Sequence, residues 1–285
     1  MREDTGSPPS PTQRILSWAR RFLAGVLERN ALENMEAKLG GLDPRIRALV
    51  TGEDERSHYG DMDLEEIGLQ HIARSFTIDR IRFIRDTLPR GIRGTVVDLG
   101  DTNGIFLRSM GQEGIGVNIS DPAIRSLRAR GLETLKADIE FLPFRDNSIE
   151  LVLLFETLEH VPNPIKVLRE IGRVCSRSLV LSIPLVGKTT IHGGGYDPER
   201  PAEQHHIFEF SVPDFREILT HTPFVLGRDQ IATVLGEKGR ILDRLVIALW
   251  SIFREKDMFC GCFRRFYICH LVRKDRALGD PEQGG

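Results

Sequence analysis

Residues 95–104 read Thr-Val-Val-Asp-Leu-Gly-Asp-Thr-Asn-Gly, an apolar run interrupted by Asp98 and closed by two glycines. Thr95–Leu99 has the β-branched, apolar character of a buried strand. The strand runs into a turn where Gly100 and Gly104 let a ligand approach the backbone. Ile105–Met110 then begins a helix, whose N-terminus presents free N–H groups. Strand, glycine turn and helix in that order open a βαβ unit. The turn does not match the dinucleotide pattern G-x-G-x-x-G, and an acid at the strand end would repel a pyrophosphate. A carboxylate there suits a ligand carrying ammonium and hydroxyl groups instead.

The pattern continues downstream. Gly114–Ser120 is a second strand, and Asp121-Pro122 starts the next helix with an acid before proline. Thr134–Asp138 is a third strand. Ile149–Phe155 is a fourth, a continuous apolar run expected where both sheet faces are covered. Asn163-Pro164 opens a helix to Val174, and Ser178–Ile183 forms a fifth strand ending at Pro184. Strands separated by helices at this spacing imply right-handed crossovers and a doubly wound, mostly parallel α/β sheet. Ligands of such sheets bind beyond the carboxyl ends of the strands. The turns after Leu99, Ile119, Asp138, Phe155 and Pro184 are therefore where chemistry belongs. Further on, Val212–Leu219 reads as a helix, Phe224–Val234 as a strand, Gly239–Phe253 as an apolar helix and Phe266–Val272 as the last strand.

Upstream, residues 1–13 are polar and rich in Pro and Ser, as is a disordered tail; they lack the apolar stretch of a signal peptide. Arg14–Asn30 is an amphipathic, locally basic helix with Trp18 and Phe22 among its apolar residues. It reads as a cap helix on the domain, or as a helix lying at a membrane surface. Gly40–Gly60 reads as a connector, and Asp63–Leu88 as a second helix stopped by Pro89. The chain of 285 residues thus divides into a tail (1–13), a helical cap (14–93), an α/β domain (94–273) and a second tail (274–285). With 40% apolar residues it has enough for a packed core. A net charge of −2 gives no overall electrostatic footprint for nucleic acid. No stretch approaches the about 20 apolar residues that a membrane span takes. Four cysteines are too few for a disulfide scaffold, which points to a reducing cytoplasm.

The later turns add residues to the picture. Asn118 lies twenty positions after Asp98, where α/β sites for nucleosides place a ribose-binding residue. Asp138 ends the third strand before the apolar Ile139, Phe141 and Leu142, and the fourth strand ends in Phe155-Glu156-Thr157-Leu158-Glu159-His160-Val161. Together these residues make Thr95–Pro184 resemble the class I S-adenosylmethionine-dependent methyltransferases, in the branch with a Leu-Glu-His-Val segment after the fourth strand. The resemblance implies a seven-stranded Rossmann-like sheet with an antiparallel last strand, capped by N-terminal helices. It implies S-adenosylmethionine as cofactor, held by Asp98, Gly100, Asp101, Gly104, Asn118, Asp138, Ile139, Phe155 and Glu156. In that scheme Asp98 and the glycines shape the pocket for the methionine part, and Asn118 faces the ribose. Asp138 and the Ile139 N–H meet the adenine, while Phe155 and Glu156 lie beside the sulfonium. Two positions depart from the family pattern. Thr102 stands at a usual glycine, and Asn118 at a usual acid, whose charge-assisted bonds are roughly twice as strong.

His160 is the best-placed base for a methyl acceptor, with anchoring of the loop before Pro162 as its structural role. Residues 191–210 form a long polar loop containing His192, Tyr196, Asp197, Glu203, His205 and His206. We read it as a substrate lid, with Tyr196 and His205 as candidate catalytic groups. Metal ligands are not expected there, because adjacent histidines point apart and no tetrahedral spacing is evident. Cys260, Cys262 and Cys269 read as inert thiols. The expected function is methyl transfer to a small-molecule or lipid-like acceptor, in the cytoplasm, with peripheral membrane contact through Arg14–Asn30. The alternatives are a non-catalytic S-adenosylmethionine-binding or scaffold protein, and, less favoured, a nucleotide-sugar or nicotinamide enzyme.

Overall fold

The computed structural model describes residues 10–52, 67–88, 92–191, 206–253 and 265–277. Three helices lead the chain: α1 (Pro11–Leu39), α2 (Pro44–Gly52) and α3 (Ile67–Thr87). The α/β part follows as β1 (Val96–Leu99), α4 (Ile105–Met110), β2 (Ile115–Asn118), α5 (Asp121–Ala129) and β3 (Glu133–Lys136). Next come β4 (Ile149–Phe155), a single 3-10 turn (Leu158–His160), α6 (Pro164–Val174) and β5 (Cys175–Pro184). Two short strands, β6 (Thr190–Ile191) and β7 (Phe208–Glu209), precede α7 (Val212–Thr220) and β8 (Phe224–Thr233). The described chain closes with α8 (Ile241–Phe253), β9 (Arg265–Arg273) and α9 (Lys274–Ala277).

Seven strands form one sheet in the order β3-β2-β1-β4-β5-β9-β8. β1 to β5 pair in parallel, whereas β9 is antiparallel to both of its neighbours, β5 and β8. This is the expected doubly wound sheet with an antiparallel last strand. Side chains alternate between its faces, so each strand feeds two cores. Leu151, Leu153 and Phe155 of β4 join a core with α1, α2, α3 and α4. Val152 and Leu154 join the opposite core with α6 and α7. That double burial is why β4 reads as an unbroken apolar run.

The helical cap differs from its sequence reading at three places. α1 begins at Pro11, because Ser10 and Gln13 form a reciprocal capping box ahead of it. It continues nine residues past Asn30, to Leu39. Asn30 and Asn34 are buried and bond the loop after β8: Asn30 Oδ1 accepts from Gly236 N (2.7 Å), and Asn34 Oδ1 from Lys238 N (2.8 Å). The connector expected over Gly40–Gly60 contains α2, whose Ile46 and Val50 are buried. Lys38 and Asp79 form a buried ion pair (2.5 Å) between α1 and α3. Arg29 bridges to Asp243 of α8 through two contacts of 3.2 Å. At the other end, residues 274–277 are helical where a tail was expected. The tails 1–9 and 278–285, residues 63–66, and Cys260 and Cys262 lie outside the described residues. No described helix is long and apolar enough to cross a membrane.

Candidate functional site

Asp98 lies in β1, the strand flanked by β2 and β4, opposite Gly116 and Leu153. It is 2% exposed, and its Oδ2 has no hydrogen-bond partner. The turn that follows is held by Gly100, whose N–H donates to Val117 O (2.8 Å) and whose φ is +82°. A Cβ at Gly100 would stand 2.3 Å from Thr157 Oγ1, so the turns after β1 and β4 touch here. Asp101 Oδ1 accepts from Asn103 N (3.1 Å) and Gly104 N (2.7 Å), which fixes the entry into α4. Gly104 has φ +68° and packs directly on Leu132. Thr102 has no positive φ, so a side chain at that usual glycine position brings no backbone strain.

Asn118 ties the first two turns together. Its Nδ2 donates to Asp101 O (2.8 Å), and its Oδ1 accepts from Ser120 N (2.9 Å). Each end keeps one bonding position for a ligand. Asp138 and Ile139 follow β3, where Ala137 N donates to Asn118 O (3.2 Å). Asp138 is exposed, and its Oδ1 accepts from Glu140 N (2.9 Å) in a local turn.

The end of β4 completes the site. Phe155 is buried, with its ring 4.4 Å from that of Phe106. Arg80, from α3, is 2% exposed, and its guanidinium carbon lies 4.1, 4.9 and 5.5 Å from the ring centres of Phe76, Phe106 and Phe155. The sequence reading missed this residue. Glu156 adopts φ +47°, and its Oε1 accepts from Ser182 Oγ (2.9 Å). Glu159 is fully buried, and neither carboxylate oxygen has a hydrogen-bond partner.

Burial governs the protonation of all four acids. It pushes Asp98 well above the usual carboxylate range, with the Asp101 charge adding and Arg80 opposing. It lifts Asp101 to about 6 against the pull of its backbone N–H donors. Glu156 rises to about 7, opposed by Arg80 and Ser182, and Glu159 is raised further by the Glu156 charge. Three buried acids and the half-buried Glu156, with Arg80 opposing the shifts of Asp98, Glu156 and Glu159, make a site that favours a cationic ligand.

The structure brings Asp98, Gly100, Asp101, Gly104, Phe155 and Glu156 around the adjoining ends of β1 and β4, with Asn118 beside them. Among the candidate catalytic groups, His160 is half-buried in the turn after β4, and its Nε2 lies 4.0 Å from Glu159 Oε1. Its ring meets that of His206 edge-on, 4.8 Å between centres. Tyr196 and His205, with His192, Asp197 and Glu203, lie outside the described residues. The two ends of their loop pair as β6 and β7, with Ile191 opposite Phe208.

Residues 97–181 match the model of the methyltransferase domain family. An uncharacterised protein of Methanocaldococcus jannaschii is 28% identical over 120 residues, which are 42% of this chain and 57% of that protein. A protein of Mycobacterium tuberculosis, named a probable S-adenosylmethionine-dependent methyltransferase, is 25% identical over 142 residues, 48% of this chain and 51% of the relative. The matched region therefore spans little more than half the length of these relatives. Among solved structures, the cyclase SpnF has a TM-score of 0.51 at 16% identity, covering 70% of this chain and 82% of its own. A likeness at that identity is one of fold.

Proposed function

We propose that the chain carries a class I S-adenosylmethionine-dependent methyltransferase domain and transfers a methyl group to a small-molecule or lipid-like acceptor, a reading supported by the family match over residues 97–181. One observation carries the reading: the buried Asp98 carboxylate, with an unpartnered oxygen, stands near the carboxyl end of β1, beside the central strand β4. An uncompensated buried acid there fits the ammonium of the cofactor's methionine part. The remaining donors fit the rest of the cofactor. Asn118 keeps an acceptor and a donor position for ribose hydroxyls, and exposed Asp138 keeps Oδ2 for an adenine amino group.

When bound, the cofactor supplies a methyl group on a sulfonium, a strong leaving arrangement that needs only an aligned nucleophile. The chain's own task is to position that nucleophile and exclude water. Phe155 and Phe106 form an apolar wall beside Glu156, on the sulfonium side of this scheme. His160, half-buried on the same turn, is the group that would accept a proton from an oxygen acceptor. Tyr196 and His205 are the other candidate catalytic groups of this reading, and they lie outside the described residues.

The lipid-like acceptor is supported by two exposed apolar stripes. α1 presents Ile15, Trp18 and Phe22, and α8 presents Ile241, Leu242, Leu245 and Leu249. Exposed arginines at 14, 21, 240 and 244 flank them, a combination suited to peripheral contact with an anionic membrane. The non-catalytic alternative draws on Asn118, whose bonds to Asp101 and Ser120 leave less for a ribose than a free carboxylate would. Calorimetry with S-adenosylmethionine tests the reading. Saturable binding that is abolished in Asp98→Ala supports it, and no binding at high micromolar cofactor would sink it. Binding without methyl transfer to any acceptor would favour the non-catalytic alternative.

A further inference from the structure

We propose that Glu159, His160 and His206 form a binding site for one divalent first-row transition-metal cation, just beyond the carboxyl end of β4. One ligand atom from each lies within 4.8 Å of the others. Metal–ligand bonds of about 2.0–2.2 Å in a tetrahedral arrangement place ligand atoms about 3.4 Å apart, so small side-chain rotations close the set. The donors are two imidazoles and one carboxylate. This mixture suits cations such as Mn2+, Fe2+, Co2+ or Zn2+ better than a hard ion that prefers oxygen alone.

Glu159 supplies the independent argument. Its side chain is fully buried, and both carboxylate oxygens lack hydrogen-bond partners. Stranding a carboxylate in this way is costly unless a cation compensates it. His160 Nε2 lies 4.0 Å from Glu159 Oε1, too far for a hydrogen bond. The backbone holds the third ligand in place, because Ile207 N donates to Glu159 O (2.8 Å) and so pins the residue after His206 to the turn. Behind His206, the buried Glu209 lies with Oε1 3.8 Å from Nδ1, from where a small side-chain rotation would bring it to orient a metal-bound imidazole. Spacing along the sequence concealed the site, since His206 is separated from the other two ligands by 45 residues of chain.

The assignment deepens the methyltransferase reading, on which its catalytic consequence rests. A cation at this turn would take an acceptor oxygen as a further ligand and lower its pKa, so that its proton can pass to solvent water; His160 would then be a ligand, in place of the base role it has in the metal-free site. Its presence can be measured without the cofactor. Co2+ is titrated into the full, tag-free chain with no S-adenosylmethionine present, and binding is followed by d–d absorption. One equivalent should bind saturably. Glu159→Gln and His206→Ala should each weaken binding by at least about tenfold, since loss of an outer-sphere partner alone costs that much. Glu159→Gln keeps the buried shape, and His206 is only half-buried, so circular dichroism should show both variants folded. Absence of saturable absorption, or an unchanged affinity in either variant, would overturn the site. Cofactor calorimetry on the same protein reads out the methyltransferase proposal separately.

Discussion

A carboxyl group that is buried beside a second one leaves a signature in pH, and Asp101 is such a group. Burial lifts it from 3.8 to about 6. The folded chain therefore holds this proton more tightly than the unfolded chain does. Its contribution is fully present below the unfolded pKa and is lost as pH rises through about 6. Asp101→Asn keeps the side-chain oxygen for the N–H groups of Asn103 and Gly104 and removes the ionisation. Urea titrations should show the variant gaining on the parent chain as pH goes from 4 to 7, by an amount of order 2 kcal/mol. A constant difference across that range would contradict the assignment. At this scale the sequence was partly legible. Asp98 stood out as an acid at the end of an apolar strand, which has few uses other than a ligand. Arg80 did not, because a lone arginine between Ile78 and Ile81 of a helix reads as a solvent-facing position. Only the approach of Phe76, Phe106 and Phe155 reveals that it points inward.

Among the elements, α1 shows how a polar residue can hide an apolar face. A helix whose inward stripe contains Asn30 and Asn34 loses its amphipathic pattern where its docking is most specific, and so its last nine residues were not read from sequence. The loop between β8 and α8 bonds both amides: Asn30 Nδ2 donates to Lys238 O (2.8 Å), Asn34 Oδ1 accepts from Lys238 N, and Asn34 Nδ2 donates back to Asn30 Oδ1 (2.8 Å). Asn34→Ala should strand the Lys238 N–H and loosen the helix from the sheet. We expect a stability loss of about 1 kcal/mol in denaturant unfolding, the usual net contribution of a hydrogen bond. A loss within experimental error would mean that water replaces the amide. α2 escaped notice for a different reason, since nine residues with two buried side chains give too short a period to detect. The βα alternation was legible throughout, because continuous runs such as β4 and proline-marked helix starts at Pro122, Pro164 and Pro213 are local signals.

On the scale of the whole molecule, the near-neutral total charge conceals a local excess of arginine beside exposed apolar side chains on α1 and α8. Trp18 and Phe22 stack at 5.7 Å on one, and Leu245 and Leu249 stand exposed on the other. Sedimentation with anionic vesicles should carry the protein down, more weakly at high salt, and Trp18→Glu with Leu245→Glu should leave it in the supernatant. Equal sedimentation of parent and variant would remove the membrane from the functional proposal. The sheet order was accessible from sequence only through a family resemblance, since the placing of β9 depends on pairings far along the chain. That placing also has a bearing on the birth of the protein. β8 touches the sheet only through β9, and β9 leaves the ribosome after both of its neighbours. Until it arrives, β5 offers an open edge to other nascent chains, and β8 has no partner in the sheet. The interval between synthesis of Thr233 and Arg273 is thus the window in which this fold is most exposed to aggregation and most dependent on chaperones.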